Sequence, residues 1–189
     1  KGVKQELESR GAHVFDYGED EKYLQESATL TAMAFFDFIK NKNFSPVENK
    51  RVAICGLGRI GKRLVLSLCR ENTQILALSG KADAHKGNYP ENVSFYDYKD
   101  AKNVLDGCDI VINTAPANVI DIEAVKNMPE NAVFYELASA PFGIDNESTK
   151  YLGKRYVKAL GLPGIYYPKE SGELIAKSVL DHLSLHDDL

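Results

Sequence analysis

The sequence predicts an α/β protein: a doubly wound, parallel six-stranded sheet in the order 3-2-1-4-5-6, with helices on both faces. Three observations predict it. Beyond residue 50, short apolar runs alternate with helical stretches, the pattern of a sheet buried on both sides. The first of these runs ends in a glycine-rich turn that opens directly into an amphipathic helix. The chain has 189 residues, 44% hydrophobic and 26% charged, and a chain of that size buries roughly 70% of its unfolded surface. Composition also narrows the function. The net charge is −4 with no basic run, which argues against a nucleic-acid surface. No stretch approaches the ~20 apolar residues of a membrane helix, and none reads as a secretory leader. Cys55, Cys69 and Cys108 are odd in number and sit in apolar runs, so they read as reduced, packed thiols of a cytoplasmic protein.

Taken in order, residues 1–10 read as a short helix closed by Gly11. Residues 13–17 (HVFDY) read as a strand, and 18–22 as an acidic loop. Residues 24–42 form a helix with Leu30, Met33, Ala34, Phe35, Phe36, Phe38 and Ile39 round most of its circumference, which predicts burial on nearly every side. A polar linker with one proline follows at 41–50. The six apolar strands are then 51–55, 74–79, 93–98, 109–113, 132–137 and 155–160. Ile60, Leu64 and Leu68 give the helix at 59–70 its sheet-facing stripe. A second helix runs through Val104, and residues 171–184 close the chain as a helix with Ser171 as its N-cap.

The chemistry centres on Gly56-Leu57-Gly58-Arg59-Ile60-Gly61, a full G-x-G-x-x-G between strand and helix. In that context it is the dinucleotide fingerprint of the Rossmann fold. Gly56 permits the tight turn, Gly58 lets the backbone approach a pyrophosphate, and Gly61 lets helix and strand pack closely. The helix N-terminus supplies N–H groups and partial positive charge. A site for NAD usually carries a carboxylate at the end of the second strand. Here that strand ends Leu78-Ser79-Gly80-Lys81, with no carboxylate before Asp83. Ser79 and Lys81 suit a 2′-phosphate, and Arg59 adds charge beside the phosphates, so NADP is preferred and NAD kept open. The carboxyl ends of the later strands carry Asn113-Thr114-Ala115-Pro116, Leu137-Ala138-Ser139 and Gly161-Leu162-Pro163. Small residues there let a nicotinamide ribose approach the backbone, although each alone also serves as turn chemistry. Lys169 and Glu170 are the charged residues beside the last of these loops. His13, His85, His182 and His186 all fall outside them, so the histidine–acid pair of 2-hydroxy acid dehydrogenases has no counterpart. His182 and His186 lack a third ligand, and no metal is expected.

The runs Val52 to Gly61 (VAICGLGRIG), Ile112 to Pro116 (INTAP) and Glu136 to Ser139 (ELAS) with Gly143 and Asp145, and above all Gly161 to Ile165 (GLPGI) with Pro168-Lys169 and Gly172 to Ala176 (GELIA), resemble the family of dipicolinate synthase A subunits. The resemblance implies a nicotinamide-linked oxidation of dihydrodipicolinate to dipicolinate during sporulation, in partnership with a flavoprotein-like B subunit. In that reading Lys169 holds a substrate carboxylate, while Asn113 and Thr114 orient the ring. The residues given for cofactor binding are Gly56, Leu57, Gly58, Arg59, Ile60, Gly61, Ser79, Lys81, Thr114, Ala115, Pro116, Leu137, Ala138, Ser139, Gly161, Leu162 and Pro163. The loop after the fifth strand departs from the family, whose members read Ser-Arg/Lys-Pro-Gly-Gly-Thr-Asp there. Ser139-Ala140-Pro141-Phe142-Gly143-Ile144-Asp145 has lost the basic residue. Family members also carry a further N-terminal α/β domain. Residues 1–24 are accordingly expected to be the tail of such a domain and 25–50 an interdomain helix and linker. The dinucleotide-binding domain is then 51–172, with 173–189 a helix packing back on it. The rival readings are a regulatory or partner-dependent nucleotide-binding module without catalysis, and a 2-hydroxy acid dehydrogenase-like enzyme. A second copy of the chain is a partner left open.

Overall fold

In the computed structural model, which describes residues 2–41, 47–70, 72–85 and 89–184, six strands pair in parallel throughout. They are β1 (Arg51–Cys55), β2 (Gln74–Leu78), β3 (Val93–Tyr96), β4 (Ile110–Asn113), β5 (Val133–Glu136) and β6 (Tyr156–Lys158), in the order β3-β2-β1-β4-β5-β6. That is the order the sequence predicts. The chain reverses direction across the sheet between β1 and β4, where Ile54 lies between Ala77 and Ile112. Alternation sends Val52 and Ile54 into one core and Ala53 and Cys55 into the other. The helices are α1 (Gly2–Ser9), α2 (Glu21–Asn41), α3 (Arg59–Leu68), α4 (Ala101–Leu105), α5 (Ile122–Lys126), α6 (Asn146–Leu152), α7 (Leu162–Tyr166) and α8 (Pro168–Ser184). α2, α3 and α7 cover the first core, and α4, α5 and α6 cover the second.

Several boundaries differ from those read in the sequence, each for a local reason. Residues 12–16 have no regular secondary structure and pair with no strand among the described residues. Instead Phe15 stacks on His182 of α8, ring centroids 4.1 Å apart. α2 begins at Glu21 because the Asp20 carboxylate accepts the Lys22 N–H at 2.9 Å, an N-cap inside the acidic stretch. α8 begins at Pro168, whose fixed φ suits a first helical position. Ser171 is therefore not a cap; its N–H donates to Tyr167 O and its buried hydroxyl has no partner among the described residues. The short α5 and α6 escape the sequence reading, yet both are capped by aspartates. Asp121 accepts from Ala124 N and Asp145 from Ser148 N, each at 2.8 Å. Residues 42–46 of the linker, with His186, lie outside the described residues, while Val47 is buried and accepts the Thr73 hydroxyl.

α2 buries a broad face, Ala28, Ala32, Ala34, Phe35, Phe38 and Ile39, as the sequence predicts for the last four, but not its whole circumference, and leaves Met33 46% exposed. Phe35 meets the Tyr135 ring edge-on at 5.3 Å, which ties this helix to the middle of β5. Among the described residues no helix is long and apolar enough to cross a membrane. Because Phe35 is fully buried, Phe35→Ala should destabilise the chain by about 3–5 kcal/mol, whereas Met33→Ala should change stability by less than about 0.5 kcal/mol. Urea unfolding monitored by circular dichroism checks both.

Candidate functional site

The glycine turn divides its labour. Gly56 sits at φ +100°, and a Cβ on it would lie 2.8 Å from both the Ala115 nitrogen and the Thr114 hydroxyl. A Cβ on Gly61 would lie 1.9 Å from the Gly56 carbonyl oxygen. These two positions are closed to any side chain. Gly58 is the opposite case: it is exposed, and a Cβ there would meet nothing within 4 Å. It is the N-cap of α3, whose first N–H groups lack partners within the helix. The turn thus offers one open backbone approach beside a helix N-terminus, over the point where the sheet reverses.

Around it, Leu57 is buried in the core and Ile60 packs half-buried against the same cluster, so a ligand at this turn meets their backbone. Arg59 is exposed, and its Nε donates to Glu21 Oε1 at 3.1 Å. Arg59 and Gln25 together hold the Glu21 carboxyl down at about 2. Thr114 donates its hydroxyl to Gly56 O at 3.0 Å, tying the loop after β4 to the turn. Ala115 is buried and Pro116 exposed. At the end of β2, the buried Ser79 hydroxyl accepts the Lys81 N–H at 3.2 Å, and Lys81 itself is exposed. Lys81 borders a groove of about 280 Å³ that also holds Lys99, Asp83, Asp97 and Asp100. Asp97 and Asp100 come from beyond β3, so a reading of the β2 end alone misses them.

The loop after β5 is organised by a residue outside the sequence-derived candidates. Glu136 is fully buried at the end of β5. Its Oε1 accepts from Asn113 Nδ2 at 2.6 Å and from Ala138 N at 3.0 Å, and its Oε2 accepts from Gly143 N at 2.9 Å. Tyr156 donates its hydroxyl as well, and burial together with the Glu136 charge pushes that hydroxyl up to about 12. Burial raises the Glu136 carboxyl above its ordinary range, against the pull of these four donors. Asn113 is equally buried and spends its second amide hydrogen on Ala115 O at 3.0 Å. It therefore braces the loops and does not face the crevice. Leu137 and Ala138 are buried and Ser139 is exposed. Lys158, at the end of β6, stands over the Phe142 ring with its ammonium 4.6 Å from the centroid. It puts a cation beside the loop that lacks a basic residue of its own. Sequence position gives no sign of this, because the β5–β6 register sets it.

After β6, Gly161 takes φ +63° and caps α7, with Leu162 buried and Pro163 in the first turn. Lys169 lies apart from these contacts on α8; its side chain is 81% exposed and is 3.8 Å from Glu173. The Cys55 and Cys108 thiols are free and buried, and burial raises both, Cys108 to about 12, so neither is a nucleophile at neutral pH. Cys69 is half-buried.

A parallel sheet that reverses at β1/β4, with a closed glycine turn, an open Gly58 and a helix N-terminus at that point, defines a dinucleotide-binding domain. The chain belongs to the family described as D-isomer specific 2-hydroxyacid dehydrogenase, NAD binding domain, which matches residues 24–152. The dipicolinate synthase A subunit of Bacillus subtilis (strain 168) is 31% identical to it over 135 residues, 69% of this chain and 44% of that protein. The fold superposes on the crystal structure of the dipicolinate synthase A subunit from Bacillus halodurans with a TM-score of 0.85 at 23% identity, covering 97% of this chain and 63% of that one. For the A chain of the Bacillus subtilis enzyme the TM-score is 0.86 at 21% identity, over 97% and 61%. The chain thus spans less than two thirds of the length of these relatives.

Two stability outcomes follow from this geometry. Gly61→Ala, whose methyl would enter the Gly56 carbonyl, should destabilise by more than about 2 kcal/mol, while Gly58→Ala should cost about 1 kcal/mol or less. Thermal unfolding of both variants checks the contrast. The Glu21 carboxyl is lowered from 4.5 to about 2, so its contribution is present above pH 4.5 and lost as the pH falls toward about 2. Both partners are exposed, so Glu21→Gln should flatten the loss of stability across that acid window only slightly in urea titrations.

Proposed function

We propose that the chain is the cofactor-binding part of an NADP-dependent oxidoreductase that converts dihydrodipicolinate, a dihydropyridine dicarboxylate, to the aromatic pyridine-2,6-dicarboxylate. The observation that carries the reading is the open face at Gly58, bounded by two glycines that no side chain can replace. The similarity to the dipicolinate synthase A subunit supports the substrate class, and it supports partnership with a B subunit. The group fits the residues present: the cradle left by Gly56, Gly58 and Gly61 takes a pyrophosphate at the α3 N-terminus, with Arg59 beside it. Ser79 and Lys81 take the 2′-phosphate, and the absence of a carboxylate from the β2 end itself favours NADP over NAD. Thr114, Ala115 and Pro116, Leu137, Ala138 and Ser139, and Gly161, Leu162 and Pro163 border the nicotinamide half. Bound there, the nicotinamide supplies a two-electron acceptor for the hydride that the substrate ring gives up.

What this chain's residues do is chiefly positioning. The dihydropyridine loses a hydride and a proton and gains aromaticity, so the reaction demands alignment more than a strong base. That suits a crevice edge without histidine. Lys158 and Lys169 are the cations offered to the substrate's carboxylates as point charges; Lys158 stands beside the β5 loop, and Lys169 reaches from α8. Residues 51–172 form the dinucleotide-binding unit in this reading, with 25–50 linking it to a neighbouring domain.

Fluorescence titration with NADPH and NADH tests the cofactor. The wild-type chain should prefer NADPH, and Lys81→Glu should weaken NADPH about tenfold, equivalent to about 1.4 kcal/mol, with little change for NADH. Binding of neither would overturn the enzymatic reading. With the B subunit present, ultraviolet absorbance of the pyridine product separates an enzyme from a non-catalytic module. Lys158→Met and Lys169→Ala should each raise KM for the diacid, and a variant without that effect is not a carboxylate clamp.

A further inference from the structure

We propose that Glu136 is a positioning residue for the nicotinamide half of the crevice: one buried carboxylate that locks the loops after β4 and β5 into a single arrangement. The inference rests on the dinucleotide reading above. Every neighbour that bonds Glu136 is a donor. Asn113 is the last residue of β4, Ala138 and Gly143 lie at the two ends of the β5 loop, and Tyr156 opens β6. The network extends from there. Asn113 Oδ1 accepts the Ala115 N–H at 3.2 Å, and the Gly143 carbonyl accepts the N–H groups of Val119 and Ile120, both at 3.1 Å. The loop at 114–120 and the loop at 137–143 are thus bonded to each other through the residues that Glu136 holds.

Sterics make the arrangement exacting. A Cβ on Gly143 would lie 2.3 Å from the Asn113 side chain, so the loop approaches the amide as closely as a bare backbone can. The preceding residue, Phe142, takes φ +68°, a conformation that an aromatic residue adopts only when its surroundings impose it. Burying a carboxylate among apolar strands is costly unless its partners are complete. Only a group with acceptors on both oxygens meets this set of donors. A glutamine would turn an amide NH2 toward a backbone N–H or toward the Asn113 NH2, and one of the four bonds would become a repulsion.

A clamp that merely stabilised the fold would act on both halves of the site alike. A clamp that positions the second half acts on it selectively, because the two mononucleotide halves of such a sheet bind separate ends of the ligand. The probes are therefore NADPH and adenosine 2′,5′-bisphosphate, which lacks the nicotinamide half. In Glu136→Gln, the affinity for NADPH should fall tenfold or more, while that for the bisphosphate stays within twofold. Hydrogen exchange should quicken at the Ala138 and Gly143 amides and remain unchanged at the Gly56 turn. Tyr156→Phe, which removes one donor and keeps the carboxylate, should shift the same readouts in the same direction by a smaller factor, and it serves if the glutamine variant does not fold. Equal losses for both probes, or unchanged NADPH binding with unchanged exchange, would overturn the assignment. Failure of the wild-type chain to bind either probe would instead remove the dinucleotide reading, and the exchange data would still report on the clamp.

Discussion

The contact between Gly61 and the Gly56 carbonyl sets the rest of the structure. Strand β1 must end, turn and become helix α3 within three residues, and α3 must then lie close enough to bury Leu64 and Leu68 on the sheet. A methyl at Gly61 would sit 1.9 Å from that carbonyl, so the approach exists only because the position carries no side chain. The same closeness aims the α3 N-terminus across the carboxyl edge of the sheet and leaves Gly58 facing open space. Thr114 then fastens the β4 loop to the turn through the Gly56 carbonyl. Packing and site geometry are consequences of one constraint, and a substitution that relieved one would dissolve the other.

Charge is distributed around that turn with some restraint. Arg59 is shared with Glu21 at the start of α2, so the helix that covers the first core also reaches the edge of the proposed phosphate site. Both groups are exposed, and an exposed pair of this kind contributes little to stability; its consequence is where the guanidinium rests. At the β2 end Lys81 and Lys99 share a groove with three aspartates. The net charge of the groove alone does not favour an anion, so the proposed preference for a 2′-phosphate rests on Ser79 and Lys81 themselves.

The architecture is legible in the sequence because it is written in local signals that need no partner. The alternation of apolar runs, the glycine spacing and the reversal after the third strand are all properties of contiguous segments, and they place the candidate cofactor loops along one edge. What escapes depends on tertiary company. Residues 13–17 have strand composition but join neither edge strand, β3 or β6, among the described residues, and Phe15 packs on His182 instead. Glu136 reads as one more polar residue at a strand end, and its burial is set by donors from Asn113, Gly143 and Tyr156, which lie 7 to 23 residues away in sequence. Lys158 becomes a neighbour of Phe142 only through the β5–β6 register. Asn113 reads as a ligand-facing group because its position is right; its zero exposure reflects two amide hydrogens already in use. The short α5 and α6 are a different case, since Asp121 and Asp145 are capping signals present in the sequence itself.

The two halves of the crevice meet one requirement by opposite chemistry. Each must bring backbone close to a ligand along the carboxyl edge of the sheet. In the first half the means is subtraction: side chains are absent at Gly56 and Gly61, and the turn is held by sterics and by ladder-like bonds such as Gly56 N–H to Leu78 O at 2.9 Å. In the second half the loops are longer and carry proline and phenylalanine, so omission of a side chain, as at Gly143, defines them only in part. Their backbone N–H groups at Ala138 and Gly143 point inward and need an acceptor, and a buried N–H without one is costly. Glu136 supplies that acceptor from the strand itself, and Asn113 and Tyr156 complete its shell from the strands on either side. A rigid strand end thereby transfers its order to a loop that has no regular structure of its own. The sheet in turn fixes the loop, because Asn113, Glu136 and Lys158 stand in register across β4, β5 and β6.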